Sequence, residues 1–274
     1  MDKFLERLIK KTDRQFSIFE KLLYMAIIDY LIDTVKLEDG KITANNQNNH
    51  ALSTLEKASE RMGGAWQKVV SFVLNGIVSF FVKGVGRYAK IDTRAIEQSK
   101  GIKDRLEGHS ATTVNTVMSL EVIYAEIKQK AIALMSRPNG VSLKEMREEL
   151  EKTIVVKGIA KKYYSRWTHD IYSQYQRIAT NELRKQIGLI FAFYQNGLIE
   201  SSRSFCKERN GKIFHEEQIM SWASLDWEGK PDTGYDPIAD LGGYNCRHRL
   251  DWISSELAFR LRPDLKEKYS KDVP

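Results

Sequence analysis

Before residue 200 the apolar side chains of this chain recur every three or four positions, and almost nothing alternates in the two-residue rhythm of a half-buried strand. The run through Phe4, Leu8, Phe16, Phe19, Leu23 and Ile27 predicts one long helix that closes near Asp39-Gly40. The polar stretch Asn45 to Asn49 reads as a loop. Ser53 with Glu56, and Ser142 with Glu145 after Pro138-Asn139-Gly140, have the form of capping boxes and mark helix starts. Helices are expected over 62–88, 92–106 and 113–135. Another runs from Gly158 to about Asn196, where Asn196-Gly197 supplies a stop.

After Glu200 the character changes. Gly and Pro become frequent, three of the five Trp residues fall there (Trp222, Trp227, Trp252), and Asn210-Gly211 stands between Phe205-Cys206 and Ile213-Phe214. That last arrangement predicts a β-hairpin. The expected fold is therefore α+β: a mainly helical body with a small C-terminal α+β module containing the hairpin. By region this gives a helical N-terminal part (1–140), a long-helix region (141–199), the module (200–262, with a last helix over 254–262) and a mobile tail (263–274).

With 274 residues, 42% of them apolar and 29% charged, the chain has the balance of a globular protein and excludes disorder, collagen or a disulfide scaffold. The net charge is +7. Residues 201–274 carry 12 basic and 13 acidic groups, so the basic excess of 31 against 23 lies before them. An anionic partner suits that distribution. The start, Met1-Asp2-Lys3 followed by an amphipathic pattern, shows no targeting peptide and implies synthesis in the cytoplasm. The longest apolar run, Val69 to Val82, is fourteen residues between lysines, about 21 Å of helix. It reads as a buried helix, with a membrane-active segment as the minority reading, so a membrane is not among the expected partners.

Both cysteines lie in the module, Cys206 after Phe205 and Cys246 in Asn245-Cys246-Arg247-His248, with His215 beyond the hairpin turn. Three readings stay open: buried thiols beside hydrogen-bonding histidines, a Cys206-His215-Cys246-His248 zinc site, or a Cys206–Cys246 disulfide. The spacing is unlike tight zinc knuckles, whose ligands sit two to four residues apart. No Ser or Cys nucleophile motif, His-Glu-x-x-His or phosphate loop is present, so no catalytic residue is assigned. Between 151 and 190, Lys161, Lys162, Arg166, Arg177, Arg184 and Lys185 interleave with aromatic residues and form the candidate nucleic-acid face. A solvated helix face is the equal alternative.

Arg203-Ser204-Phe205-Cys206, then Asn210-Gly211-Lys212, then Gly242-Gly243-Tyr244-Asn245-Cys246-Arg247-His248 resembles the closing module of the Mu F-like minor head proteins of tailed phages, also called head morphogenesis proteins. Ile178-Ala179-Thr180-Asn181-Glu182 is similar to the Ala-x-Thr-Glu motif that precedes that module. The likeness covers residues 141 to 255. Of the family's five potential ligand positions, Cys206, Cys246 and His248 remain able to bind metal here, while Arg209 and Gly243 occupy the other two. The resemblance implies a non-enzymatic virion component inside the capsid near the portal vertex. It would partner the portal protein, other head proteins and double-stranded DNA. Outside the resemblance stand a metal-dependent nuclease or toxin-like effector and a membrane-active ejection protein.

Overall fold

The structure is a computed structural model that describes residues 3–271, the side chains of Phe80, Gln98 and His109 excepted. It is mainly helical with two small antiparallel sheets, the α+β class expected. The helices are α1 (Lys3–Thr34), α2 (Asn46–Ser53), α3 (Ala65–Tyr88), α4 (Arg94–Val117), α5 (Glu121–Met135), α6 (Leu143–Glu151), α7 (Ile159–Gln186), α8 (Ser204–Arg209), α9 (Glu216–Ser221), α10 (Ser255–Leu261) and α11 (Pro263–Tyr269). The described residues divide into two compact units that do not follow chain order, one of residues 8–73 with 112–167, the other of the rest.

In the first unit, α1 stops at Thr34, five residues earlier than expected. Asp39-Gly40, both left-handed (φ 48 and 72), is instead the two-residue turn between β1 (Leu37–Glu38) and β2 (Lys41–Ile42). β3 (Val141–Ser142) adds to β2. The asparagine stretch is a helix rather than a loop. Asn45 caps it, and buried Asn48 donates to the Lys36 and Thr43 carbonyls while accepting from the Lys36 N–H. Ser53 ends this helix and starts none, its hydroxyl donating back to the His50 carbonyl. Ser142 and Glu145 do form a full capping box on α6. Buried Glu20 accepts from the Lys161 N–H at 3.0 Å, and Trp66 donates to the Met118 carbonyl at 3.1 Å.

α3 is 24 residues, well beyond the fourteen-residue apolar run, and is the one helix among the described residues long and apolar enough to cross a membrane. Its Val69, Val73, Ile77 and Phe81, four apart, are all buried, the pattern of a core helix. Gly76 is required for packing: a Cβ there would stand 2.7 Å from the Tyr172 ring.

The second unit holds the site. α7 ends at Gln186, ten residues before the expected stop, because Gly188 (φ 71) turns the chain and the apolar run Ile190 to Tyr194 becomes β4 (Phe191–Gln195). β4 is the middle strand of a sheet ordered β5-β4-β6, with β5 (Lys212–His215) and β6 (Arg249–Ile253) antiparallel to it. The expected hairpin is absent: Ser204–Arg209 is helix α8, and β5 pairs with β4 instead of with residues 205–206. Alternate residues of β4 serve two clusters. Ala192 and Tyr194 face one with Phe205, Cys206, Cys246, Leu250 and Trp252, while Phe191 faces the other with Ile213, Ala258, Leu265 and Tyr269. Residues 263–269, expected as tail, are thus a helix that closes the second face, with Leu265 and Tyr269 buried.

Candidate metal centre

Strand parity selects the residues that meet. Leu250 and Trp252 of β6 lie on the Tyr194 side of the sheet, and His248 and Cys246, two and four positions before Leu250, run into the strand beside the same cluster. α8 carries Cys206 to them. The two sulfurs stand 3.8 Å apart, Cys246 Sγ lies 3.8 Å from His248 Nδ1, and the ligating atoms of all three residues fall within 4.8 Å of one another. All three are buried. A tetrahedral zinc with Zn–S bonds of about 2.3 Å has its sulfurs about 3.8 Å apart and a sulfur and an imidazole nitrogen about 3.5 Å apart. The sulfur–sulfur spacing equals that tetrahedron's edge and exceeds the length of a disulfide, while the Cys246–His248 spacing is slightly longer than its sulfur–nitrogen edge.

The surroundings fit a thiolate-rich site. Tyr194 donates its hydroxyl to Cys206 Sγ at 3.3 Å, burial holding the phenol far above its ordinary range so that it remains a donor. The Gly242 N–H points at Cys246 Sγ at 3.4 Å. Such donors orient ligands and temper their charge. Gly242 also makes room, since a Cβ on it would overlap the Cys206 sulfur and stand 3.2 Å from Cys246 Sγ. The Cys206 thiol, with the His248 contact and the Arg177 guanidinium, holds the Cys246 thiol well below its ordinary range against a burial that pushes it up. The same pairing, with burial, raises Cys206.

The loop before β6 is held by Arg177, which is buried on α7 and donates to three carbonyls: Ala239 (2.5 Å), Cys246 (2.5 Å) and His248 (3.1 Å). Asp170, two turns earlier on the same face of α7, accepts from the Asn245 N–H at 2.6 Å. Leu241 (φ 48) and Asn245 (φ 58) are both left-handed, so the loop is bent tightly around the sulfurs.

His215 does not join. Its register partner on β4 is Phe191, which puts it on the opposite face. There its Nδ1 accepts from the Glu217 N–H as the cap of α9, and its ring stacks on Tyr269 at 4.0 Å. The expected four-residue ligand set reduces to Cys206, Cys246 and His248. Among the described residues no further His, Cys, Asp or Glu belongs to the group. The Gly242-Gly243 doublet is the sequence feature that fits this close approach, whereas Tyr194 falls within the helix expected to run to about Asn196 and Arg177 within the candidate nucleic-acid face, and neither position points to the cysteines.

A polar cleft of about 640 Å³ opens onto the site, with Cys206, Cys246 and His248 all in its wall. Arg203, Lys207 and Arg247 line it against Glu200 and Glu228. Arg203 donates to the Gly242 carbonyl at 2.9 Å.

The candidate nucleic-acid face is reduced as well. Arg177 is turned to the carbonyls above, and Arg184 is buried against Glu216 with its guanidinium 4.1 Å from the centre of the Trp252 ring. Both are structural. Lys162 (bonded to Glu126), Arg166 and Lys185 (bonded to Glu182) are exposed, and Lys161 is half-buried. Lys161, Lys162 and Arg166 belong to the first unit and Lys185 to the second. Comparisons with family models, with curated proteins and with solved structures find no match to this chain.

Proposed function

We propose that this protein is a minor head protein of a tailed phage, associated with the portal vertex inside the capsid, and that a zinc ion held by Cys206, Cys246 and His248 ties its C-terminal module together. One observation carries the reading. Arg203, Cys206, Gly242, Cys246 and His248, all within the segments on which the likeness to the Mu F-like module rests, are up to 45 positions apart in the chain and meet around the paired sulfurs. Arg177 and Arg203 donate there to the protein's own backbone, which suits a scaffold. When bound, zinc supplies a cross-link between α8 and the approach to β6, in a module whose sheet has only three short strands.

The work of such a protein is binding: to the portal protein and other head proteins, and to packaged DNA through Lys161, Lys162, Arg166 and Lys185. Quantifying its peptides by mass spectrometry in purified virions tests the assignment. A few to a few tens of copies per particle is the expected result, and absence from particles despite expression in infected cells overturns it. Replacing these four cations, of which Lys161 is half-buried, with Ala should weaken DNA binding and flatten its salt dependence; unchanged binding removes the DNA contact.

The second reading, a metal-dependent nuclease or toxin-like effector, is favoured by the cleft that reaches the ligand residues. It requires turnover of DNA or RNA with zinc, magnesium or manganese, abolished in His248→Ala. Finding none removes it.

A further inference from the structure

We infer that the metal centre has an open fourth position, reached through the cleft and filled by a small neutral or anionic donor from solution. This rests on the zinc reading above and adds to it a property that a closed structural site lacks. Zinc takes four ligands in a tetrahedron when structural, and three protein ligands plus an exchangeable one when the fourth position is open. Here the group of ligating side chains ends at three among the described residues.

No other His, Cys, Asp or Glu among the described residues, His169 and Asp170 included, belongs to the ligand group. His215 is on the far face of the sheet, stacked on Tyr269. Arg209 and Gly243 stand where the likeness would place two more ligands, and neither binds metal. The guanidinium of Arg209 lies over the Phe205 ring at 3.8 Å and its Nη1 donates to the Phe205 carbonyl at 2.9 Å. Glu200 and Glu228 line the cleft but fall outside the ligand group.

The three ligand residues, though buried, all stand in the wall of the cleft. Tyr194 and the Gly242 backbone contact the sulfurs as hydrogen-bond donors and supply no ligand. The cleft wall includes all three ligand residues and is polar, with three cationic side chains against two carboxylates. A small anion or neutral donor meets a favourable potential there, and a water molecule fills the position in its absence.

The test uses the full-length, reduced protein, stripped with a chelator and reloaded with cobalt(II), whose visible spectrum reports both sulfur ligation and coordination geometry. Imidazole is then titrated in. The expected result is a sulfur-to-cobalt charge-transfer band that persists throughout, with ligand-field bands that shift and saturate at one imidazole per cobalt. A charge-transfer band that forms while the ligand-field bands ignore imidazole overturns the open position and leaves the metal centre standing. If no sulfur-to-cobalt band forms at all, the zinc reading itself fails. Cobalt released into solution, seen as loss of the charge-transfer band on titration, also counts against an open position.

Discussion

Gly242 passes so close to Cys206 that a methyl group on its α-carbon would overlap the sulfur, and the same methyl would stand 3.2 Å from Cys246 Sγ. The glycine is there to let two thiols and a backbone N–H share one small volume. Gly242→Ala should therefore cost about 1–3 kcal/mol, the usual penalty of overpacking a dense interior. It should also weaken metal binding, because the Cys206 sulfur must move. Thermal unfolding with and without added zinc measures both; an unchanged melting temperature and unchanged metal response would show that the loop yields without cost.

Arg177 holds the loop that carries Cys246 and His248 through three carbonyls. Arg177→Met leaves those acceptors buried without a donor and should destabilise the protein by about 3 kcal/mol. Arg177→Lys keeps the charge but not the planar fork, so it should recover less than half of the loss. Lys162→Ala, which removes a surface pair with Glu126, should cost under about 1 kcal/mol. Urea unfolding of the three variants gives the ranking, and equal losses from Arg177→Met and Lys162→Ala would refute a structural role for Arg177.

That contrast marks how much of the chain was legible. Ser142 with Glu145 and Ser53 with Glu56 have the same local form, yet only the first caps a helix, because Ser53 is already the last residue of α2. Ile190 to Tyr194 continues the apolar stripe of α7, and a strand buried on both faces cannot be told from a helix by periodicity. Its partners, β5 and β6, lie far along the chain. The Asn210-Gly211 turn exists, with Gly211 at φ 77, but Ser204–Arg209 before it coils into α8 and β5 pairs elsewhere. The cluster of Cys206, Cys246 and His248 was visible as residue types. Which histidine belonged to it was not, since that depends on the parity of a sheet whose middle strand was hidden. Arg177 and Arg184 read as surface charge for a similar reason: a periodic pattern says which residues share a face, and says nothing of what covers that face.

Asp170 gives a pH dependence with a definite sign. Burial is the main cause that raises its carboxyl from 3.8 to about 6, the Asn245 N–H opposing it. The folded protein thus binds this proton more tightly than the unfolded chain does. The corresponding stabilisation is fully present below about pH 4 and is lost as the pH rises through about 6. Asp170→Asn can still accept from the Asn245 N–H and carries no charge. Its stability relative to the parent should therefore grow between pH 4 and 7 and level off above. A difference that stays constant across that window would show that the carboxyl titrates normally.

The last helix is part of the fold. Tyr269 stacks on His215 at 4.0 Å and meets Phe191 edge to face at 6.0 Å, and Leu265 is buried beside them. Tyr269→Ala should cost about 3 kcal/mol by emptying that space. Removing residues 263–274 should cost more, as Leu265 is lost too. Chain truncation with no change in the unfolding midpoint would mean that α11 contributes nothing to the sheet.

Metal content measures the central claim most directly. Purified under reducing conditions without chelator, the intact protein should carry one zinc in native mass spectrometry. Cys246→Ser should lose it, and His215→Ala, altered on the other face of the sheet, should keep it. A folded protein that remains metal-free after zinc is added, or one that loses its zinc in His215→Ala while Cys246→Ser retains it, would contradict a centre built from Cys206, Cys246 and His248.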